Sequence, residues 1–300
     1  MKKFWIAVFL VGAAGLGWSY APVRLTMLVL AGRGQGCPMD RARAIPAHFK
    51  EQTRIKDEIL AASKLIETDP AGFKLYDTPM GRYWIPKGSE FVLPFNLAEE
   101  RMEIYFSGAH NIKPGDVVLD CGANVGVFTR EALARGAAKV VAIEPGPENL
   151  ECLRRNFKEE IEQGRVIVYA KGVWDKDDIL ELRVDPDNSA ADSFVIKREG
   201  AKVIAQVPLT TIDKMAVELN LPKVDFIKMD IEGAEPNAID GAREVIKKYK
   251  PRLSLSAYHA ADHPVLVPAK VNAIRPDYVT TCGPCNEMSF GIRPDILYFN

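Results

Sequence analysis

Residues 115–129 read GDVVLDCGANVGVFT. An apolar run, Val117-Val118-Leu119, ends in an acid, Asp120. A loop of small residues follows, Cys121-Gly122-Ala123-Asn124-Val125-Gly126, and residues 127–135 suit a helix. Strand, tight turn and helix in this order are how an α/β protein builds a ligand pocket at the carboxyl ends of its strands. Gly122 and Gly126 would let backbone approach a ligand with no Cβ in the way. The helix start would add unpaired N–H groups.

The pattern is D-x-G-x-x-x-G, with no glycine two residues after Gly122. A dinucleotide fingerprint needs G-x-G-x-x-G, so the spacing argues against a pyrophosphate and hence against a nicotinamide oxidoreductase. It favours a nucleoside cofactor with an amino-acid end, whose ammonium Asp120 would hold. A second apolar run, residues 139–144 (KVVAIE), again ends in an acid. Glu144 lies where a carboxylate bonds ribose hydroxyls in such folds. Residues 165–170 read as a third strand. Trp174 beyond it either packs on the adenine or is plain core.

Residues 224–236, VDFIKMDIEGAEP, form the second informative stretch. A strand runs into a turn with three acids and then a helix. Asp230 belongs at the strand's carboxyl end, beside the Asp120 loop. The next strand, residues 250–258, leads into His259-Ala-Ala-Asp-His263. H-x-x-D-H on a loop is a weak metal signal, and no metal ligand is assigned from it. A divalent ion on Asp230 and Glu232 stays open. Candidates for the site that activates an acceptor are Asp230, Glu232 and His259, with His259 the better-matched base by its ordinary pKa.

At this point VVLDCGANVGVFT, AIEP and VDFIKMDIEGAEPNAIDGA together resemble the signature blocks of the FkbM family of methyltransferases. The resemblance covers roughly residues 75–300. It implies a Rossmann-like class I α/β fold, with a mostly parallel seven-stranded sheet whose last strand is antiparallel, flanked by helices. It also implies S-adenosylmethionine as cofactor and methylation of a hydroxyl on a sugar, glycan or other metabolite. Carried over, the cofactor residues are Asp120, Gly122, Ala123, Asn124, Gly126, Glu144, Trp174 and Asp230. The turn from Asp230 to Glu235 would border the methyl-transfer site. A rival from another class is a non-catalytic, membrane-anchored binding protein with a methyltransferase-like domain.

Upstream, residues 4–18 carry no charge, and residues 25–31 are apolar again after Pro22. A signal peptide cleaved near Ala21, one anchor helix over residues 4–31 and an interfacial hairpin all fit. The anchor is preferred because the apolar stretch resumes, and because S-adenosylmethionine is a cytosolic metabolite. The catalytic part is then expected in the cytoplasm at a membrane, with a lipid-linked sugar as one acceptor. Residues 32–72 read as a linker and capping helix, helical over 46–67. Residues 73–86 read as a β-hairpin at the start of a methyltransferase domain spanning 73–300. Residues 96–106 read as a helix whose Glu99, Glu100 and Glu103 form a solvated face, unless one of them reaches the cofactor pocket just downstream.

A net charge of −1 over 300 residues gives no hint of nucleic-acid binding. Five scattered cysteines do not read as a disulfide framework. Cys37 is expected to be a plain loop residue, and Cys282-Gly-Pro-Cys285 a turn.

Overall fold

The computed structural model describes residues 19–185, 188–193, 202–288 and 291–300. Seven short strands build the central sheet: β1 Val117–Cys121, β2 Lys139–Ile143, β3 Val166–Tyr169, β4 Phe226–Met229, β5 Arg252–Ser256, β6 Thr280–Cys282 and β7 Ile296–Phe299. Their spatial order is β6-β7-β5-β4-β1-β2-β3. The first five pair in parallel, and β7 runs antiparallel to both neighbours. Continuous apolar strands are what a sheet covered on both faces requires. β1, β4 and β7 are buried along their whole length. The expected fold class is therefore observed, and the strand order reverses between β1 and β4, where such sheets open a crevice.

Register sets the chemistry of that crevice. Asp120 on β1 stands opposite Lys228 on β4, and Cys121 opposite Met229. The chain then leaves both strands at the same level, so the Gly122 loop and the Asp230 turn emerge side by side.

Several smaller pieces are added. Lys64–Thr68, Lys74–Thr78 and Gly81–Ile85 form an antiparallel three-stranded sheet. The expected hairpin supplies two of its strands. Tyr83 and Ile85 are buried against Ile55, Ile59, Leu93 and Leu97, so the hairpin's role is packing. The helix expected over residues 46–67 runs instead over Met39–Ala62. It stops at Ser63, whose backbone is extended and whose hydroxyl donates to the Ile59 carbonyl at 2.7 Å. Leu65 and Ile66, counted as helix by their spacing, lie in the edge strand. A further sheet gathers Gly172–Val173, Lys202–Thr210, Asp178–Asp185 and Asn188–Ser193.

The anchor expected over residues 4–31 has no support in the described part of that stretch. Residues 1–18 lie outside the described residues. From Ala21 to Leu28 the chain forms a short helix, with Leu25 and Leu28 buried against Cys37, Ala42, Ile45, Cys285 and Ile292. Arg24 donates to both carboxylate oxygens of Glu287, at 2.7 and 2.9 Å. Leu25 and Leu28 are thus covered by protein, whereas Met27 and Leu30 are exposed. Among the described residues, no helix is long and apolar enough to cross a membrane.

Cys37 is likewise no plain loop residue: it is disulfide-bonded to Cys285. The second cysteine of the C-x-x-C begins a hairpin, Cys285–Met288 with Gly291–Pro294, that the sequence reading missed. The bond closes a loop of 248 residues in sequence separation, and long closed loops lose much unfolded-state entropy. Cys37→Ser is expected to lower stability by about 2–4 kcal/mol. Thermal melts without reductant should show this loss, and dithiothreitol should bring the wild type down to the variant. A variant as stable as the oxidised wild type would remove the bond from the fold's support.

Candidate active site

The crevice between β1 and β4 holds a cavity of about 360 Å³, within the size range of small-molecule sites. Gly122, Ala123 and Asn124 form one wall, and Asp230 and Glu232 form another. Phe91 and Phe95, both accessible, belong to the lining. Glu99, Glu100 and Tyr105 come from the Val92–Arg101 helix and the turn after it.

Gly122 is required by both backbone and space. Its φ is +80°, and a Cβ there would lie 1.9 Å from the Asp230 carbonyl oxygen. Its N–H and that of Ala123 donate to the Ile143 carbonyl, at 3.0 and 3.1 Å, which ties the loop to β2. Gly126 has φ +93°, and a Cβ there would meet the Phe157 ring at 2.1 Å. Asn124 and Glu232, on opposite walls, both adopt positive φ, at 50° and 54°. Such conformations are costly for residues with side chains and gather at functional sites.

Asp120 sits elsewhere than expected. It has no solvent exposure and does not line the cavity. Thr129 Oγ1 donates to its Oδ2 at 2.7 Å, and Lys228 Nζ lies 3.2 Å from its Oδ1. Lys228 also donates to the Gly122 carbonyl at 2.8 Å. Asp120 therefore anchors the loop from behind, and a ligand's ammonium would not reach it. Burial disfavours the Lys228 charge, yet Asp120 and Asp230 hold its pKa above the usual lysine range.

Glu144 is buried at the end of β2. Its two oxygens accept from the N–H groups of Asn124 and Gly146, at 2.9 and 2.8 Å. Burial pushes its carboxyl up to about 7, against the pull of these two N–H groups. Trp174 is not among the cavity-lining residues. It packs with Leu180 against Val207 and Leu209 in the added sheet, so its expected place on an adenine is not supported by the geometry. The added sheet gives this indole an apolar partner that spacing could not reveal.

Asp230 faces the cavity, and Tyr105 donates to its Oδ2 at 2.9 Å. Burial works against the Asp230 carboxylate. The His259 and Lys228 charges and the Tyr105 hydroxyl outweigh it and hold its pKa below the usual range.

His259 is a correction. Its side chain is 2% exposed, with Nδ1 2.9 Å from Glu235 Oε1 and Nε2 3.4 Å from Asp230 Oδ1 and 3.6 Å from Glu232 Oε1. Burial disfavours its charge, but Glu235, Glu232 and Asp230 raise its pKa well above the ordinary imidazole value. A ring hemmed by carboxylates on both nitrogens, and absent from the cavity lining, is not placed to take a proton from an acceptor.

Glu99 and Glu100 are cavity residues, whereas Glu103 alone of the three is exposed as expected. Burial raises both carboxyls well above the ordinary value, with like charges on Asp295 and Asp230 acting on Glu99. Only helix-face periodicity spoke for them in the sequence, and that face turns inward here. Tyr105, Lys228 and Thr129 were also missed as site residues. Their signal was a lysine two residues before Asp230 and a hydroxyl in the first turn after the glycine loop.

Four carboxyl groups and one lysine therefore surround the cavity. Glu100 Oε2 is buried there without a hydrogen-bond partner. Buried carboxyls of this kind suit a cationic ligand. A sulfonium with an α-amino group is such a ligand, so the residues present fit S-adenosylmethionine.

The fold and the cavity define a class I methyltransferase architecture. Residues 120–269 match the methyltransferase FkbM domain, half of the chain, and the chain belongs to that family. S-adenosylmethionine is its cofactor. Among relatives, the chain is 25% identical over 169 residues to the 31-O-demethyl-FK506 methyltransferase FkbM of Streptomyces tacrolimicus. That match covers 47% of this chain and 64% of the relative. Among solved structures, methyltransferase FkbM from Methylobacillus flagellatus KT is 21% identical, with 87% of this chain and 60% of that chain covered and a TM-score of 0.47. TYW2 of M. jannaschii in complex with AdoMet is 15% identical, with 79% and 88% covered and a TM-score of 0.42.

Glu144 gives a signed pH prediction. In the unfolded chain its carboxyl ionises near the model-peptide value of about 4.3, and in the folded chain near 7. Between these values the folded state holds the extra proton, so this group's contribution falls as pH rises through the window and is flat above it. Glu144→Gln removes that titration. The stability of wild type minus variant should drop between pH 5 and pH 8 by an amount on the order of 3 kcal/mol. Chemical denaturation of both proteins at the two pH values measures it. A difference that stays constant, or rises, contradicts the assignment.

Proposed function

We propose that this chain is an S-adenosylmethionine-dependent methyltransferase that methylates a hydroxyl oxygen on a sugar, glycan or related metabolite. The observation that carries the reading is the meeting of two walls in one cavity: the glycine loop after β1, and Asp230 after β4, held by Tyr105. The name of the Streptomyces tacrolimicus relative, an enzyme for an O-demethyl compound, supports oxygen as the methyl acceptor.

S-adenosylmethionine, when bound, would supply a sulfonium methyl to an oxygen nucleophile in line, the C–S bond breaking as the C–O bond forms and S-adenosylhomocysteine leaving as the neutral thioether. The chain's part is to bind, align and take up the acceptor's proton. The Gly122–Asn124 backbone gives the cofactor a surface without side-chain obstruction. Glu144 is not among the cavity-lining residues and supports the cofactor loop from behind, through the Asn124 N–H. Glu99 and Glu100 balance the positive charges of the amino-acid end. Asp230 accepts the acceptor's hydroxyl hydrogen bond and then its proton as the C–O bond forms. Glu232 borders the acceptor.

The test uses the purified full chain titrated with S-adenosylmethionine, S-adenosylhomocysteine and NAD in a calorimeter. Binding of the first two and not of NAD is expected. Selective NAD binding, or no binding at all, would overturn the reading. Labelled methyl transfer to a panel of hydroxyl-bearing acceptors then tests the chemistry. Asp230→Asn should lower kcat by about 10²–10⁴-fold, the usual worth of a positioned base, with cofactor affinity retained. Cofactor binding without transfer to any acceptor would favour the non-catalytic binding protein.

Localisation is a separate proposal. The supply of S-adenosylmethionine argues for the cytoplasm. The Cys37–Cys285 bond is of a kind that persists in oxidising compartments, and it favours export after cleavage near Ala21 as the second reading. Thiol alkylation in intact cells, followed by mass spectrometry of Cys37 and of the N-terminus, separates the two.

A further inference from the structure

Behind the Asp230 wall, three buried side chains converge without serving the reaction described above. Glu235 opens the Glu235–Asp240 helix, His259 follows β5, and His263 opens the His263–Ile274 helix. Glu235 has no exposure, and the His259 and His263 side chains are 2% and 5% exposed. One donor atom from each lies within 4.8 Å of the others. Glu235 Oε1 is 2.9 Å from His259 Nδ1, and Glu235 Oε2 is 3.5 Å from His263 Nδ1.

These short separations are not aligned hydrogen bonds. Glu235 Oε2, both ring nitrogens of His259 and His263 Nδ1 are all buried with no hydrogen-bond partner. Polar atoms in that condition are costly, at about 1–3 kcal/mol each, and three of them, Glu235 Oε2, His259 Nδ1 and His263 Nδ1, gather on one side and call for a common partner. Glu235 Oε1 does have one backbone contact, accepting from Ile231 N–H at 3.0 Å, which orients the carboxylate toward the histidines.

We propose that Glu235, His259 and His263 bind one divalent first-row transition cation of the zinc type. Imidazole and carboxylate donors suit that class. Bonds of about 2.0–2.2 Å would hold neighbouring donors roughly 3.0–3.5 Å apart, close to the two shortest separations here. Small side-chain torsions close the remaining gap. His259 Nδ1 faces the ion, and its Nε2–H points at Asp230 and Glu232. A ligating histidine characteristically passes its other N–H to a carboxylate in this way. The ion would not touch the acceptor, because none of its three ligands lines the cavity. It would position Asp230 and clamp the ends of β4 and β5 together. A second cluster, Cys37, Cys282 and Cys285, could offer three thiolates only with the Cys37–Cys285 disulfide reduced, and the experiment must distinguish it.

The test takes untagged full chain, stripped with chelator and desalted, and titrates it with Zn²⁺ and with Co²⁺. Neither readout uses cofactor or acceptor, so failure here is distinct from failure of the methyltransferase reading. About one ion per chain is expected by plasma mass spectrometry. The Co²⁺ spectrum should show d–d bands without thiolate charge transfer. Glu235→Gln and His263→Ala should lose the ion while circular dichroism stays native. A variant lacking all three cysteines of that cluster (Cys37→Ser, Cys282→Ser, Cys285→Ser) should keep it. No bound ion in the wild type, thiolate bands in its Co²⁺ spectrum, or an ion kept by Glu235→Gln would each overturn the proposal. The wild-type spectrum decides even where a variant fails to fold.

Discussion

Lys228 and Asp120 face each other across two parallel strands, 6% and 0% exposed and 3.2 Å apart. Neither charge has water to fall back on, so each depends on the other and on its hydrogen bonds. Losing one partner of such a pair typically costs about 3–5 kcal/mol. The lysine is shared further. It donates to the Gly122 carbonyl, and its charge supports that of Asp230. One ammonium thus fixes the β1 loop, the β1–β4 register and the ionisation of the acid on the opposite wall. Tyr105 and Phe128 place their rings 5.4 and 5.8 Å from it, which completes a shell with little room for solvent.

That arrangement leaves the cavity with an excess of acid. Glu99, Glu100, Asp230 and Glu232 all border it, and the one lysine is already engaged. Glu99 and Glu100, whose carboxyls burial raises well above the ordinary value, can ionise when a cation enters. The cavity is therefore better matched to a cationic cofactor than to a phosphate-bearing one. Behind the wall, Glu235 sits between two histidines. Both places concentrate negative charge at the carboxyl ends of the strands, where the sheet opens.

Much of this could be read from residue order. The strands of the core are apolar runs ending in acids, and the loop glycines stand where the backbone demands them, with φ +80° at Gly122 and +93° at Gly126. What failed was direction. Asp120 was expected in the cavity and lies behind it, because the lysine that claims it is 108 residues away in sequence. Trp174 was expected on a base and packs on an added sheet. His259 was expected to be a free base and is enclosed by carboxylates. At the N-terminus, hydropathy alone does not show that Leu25 and Leu28 are buried against protein.

The sequence by itself determined the strand–loop–helix units, the acids at the strand ends, the family resemblance and the cofactor it implies. All of these depend on neighbours within a few residues, through side-chain periodicity and turn geometry. Only the tertiary structure decided which acids face the cavity, which are neutralised, and that Cys37 meets Cys285. It alone brought Glu235, His259 and His263 together. Those outcomes depend on strand order and register, which set residues far apart in the chain against one another at hydrogen-bonding distance.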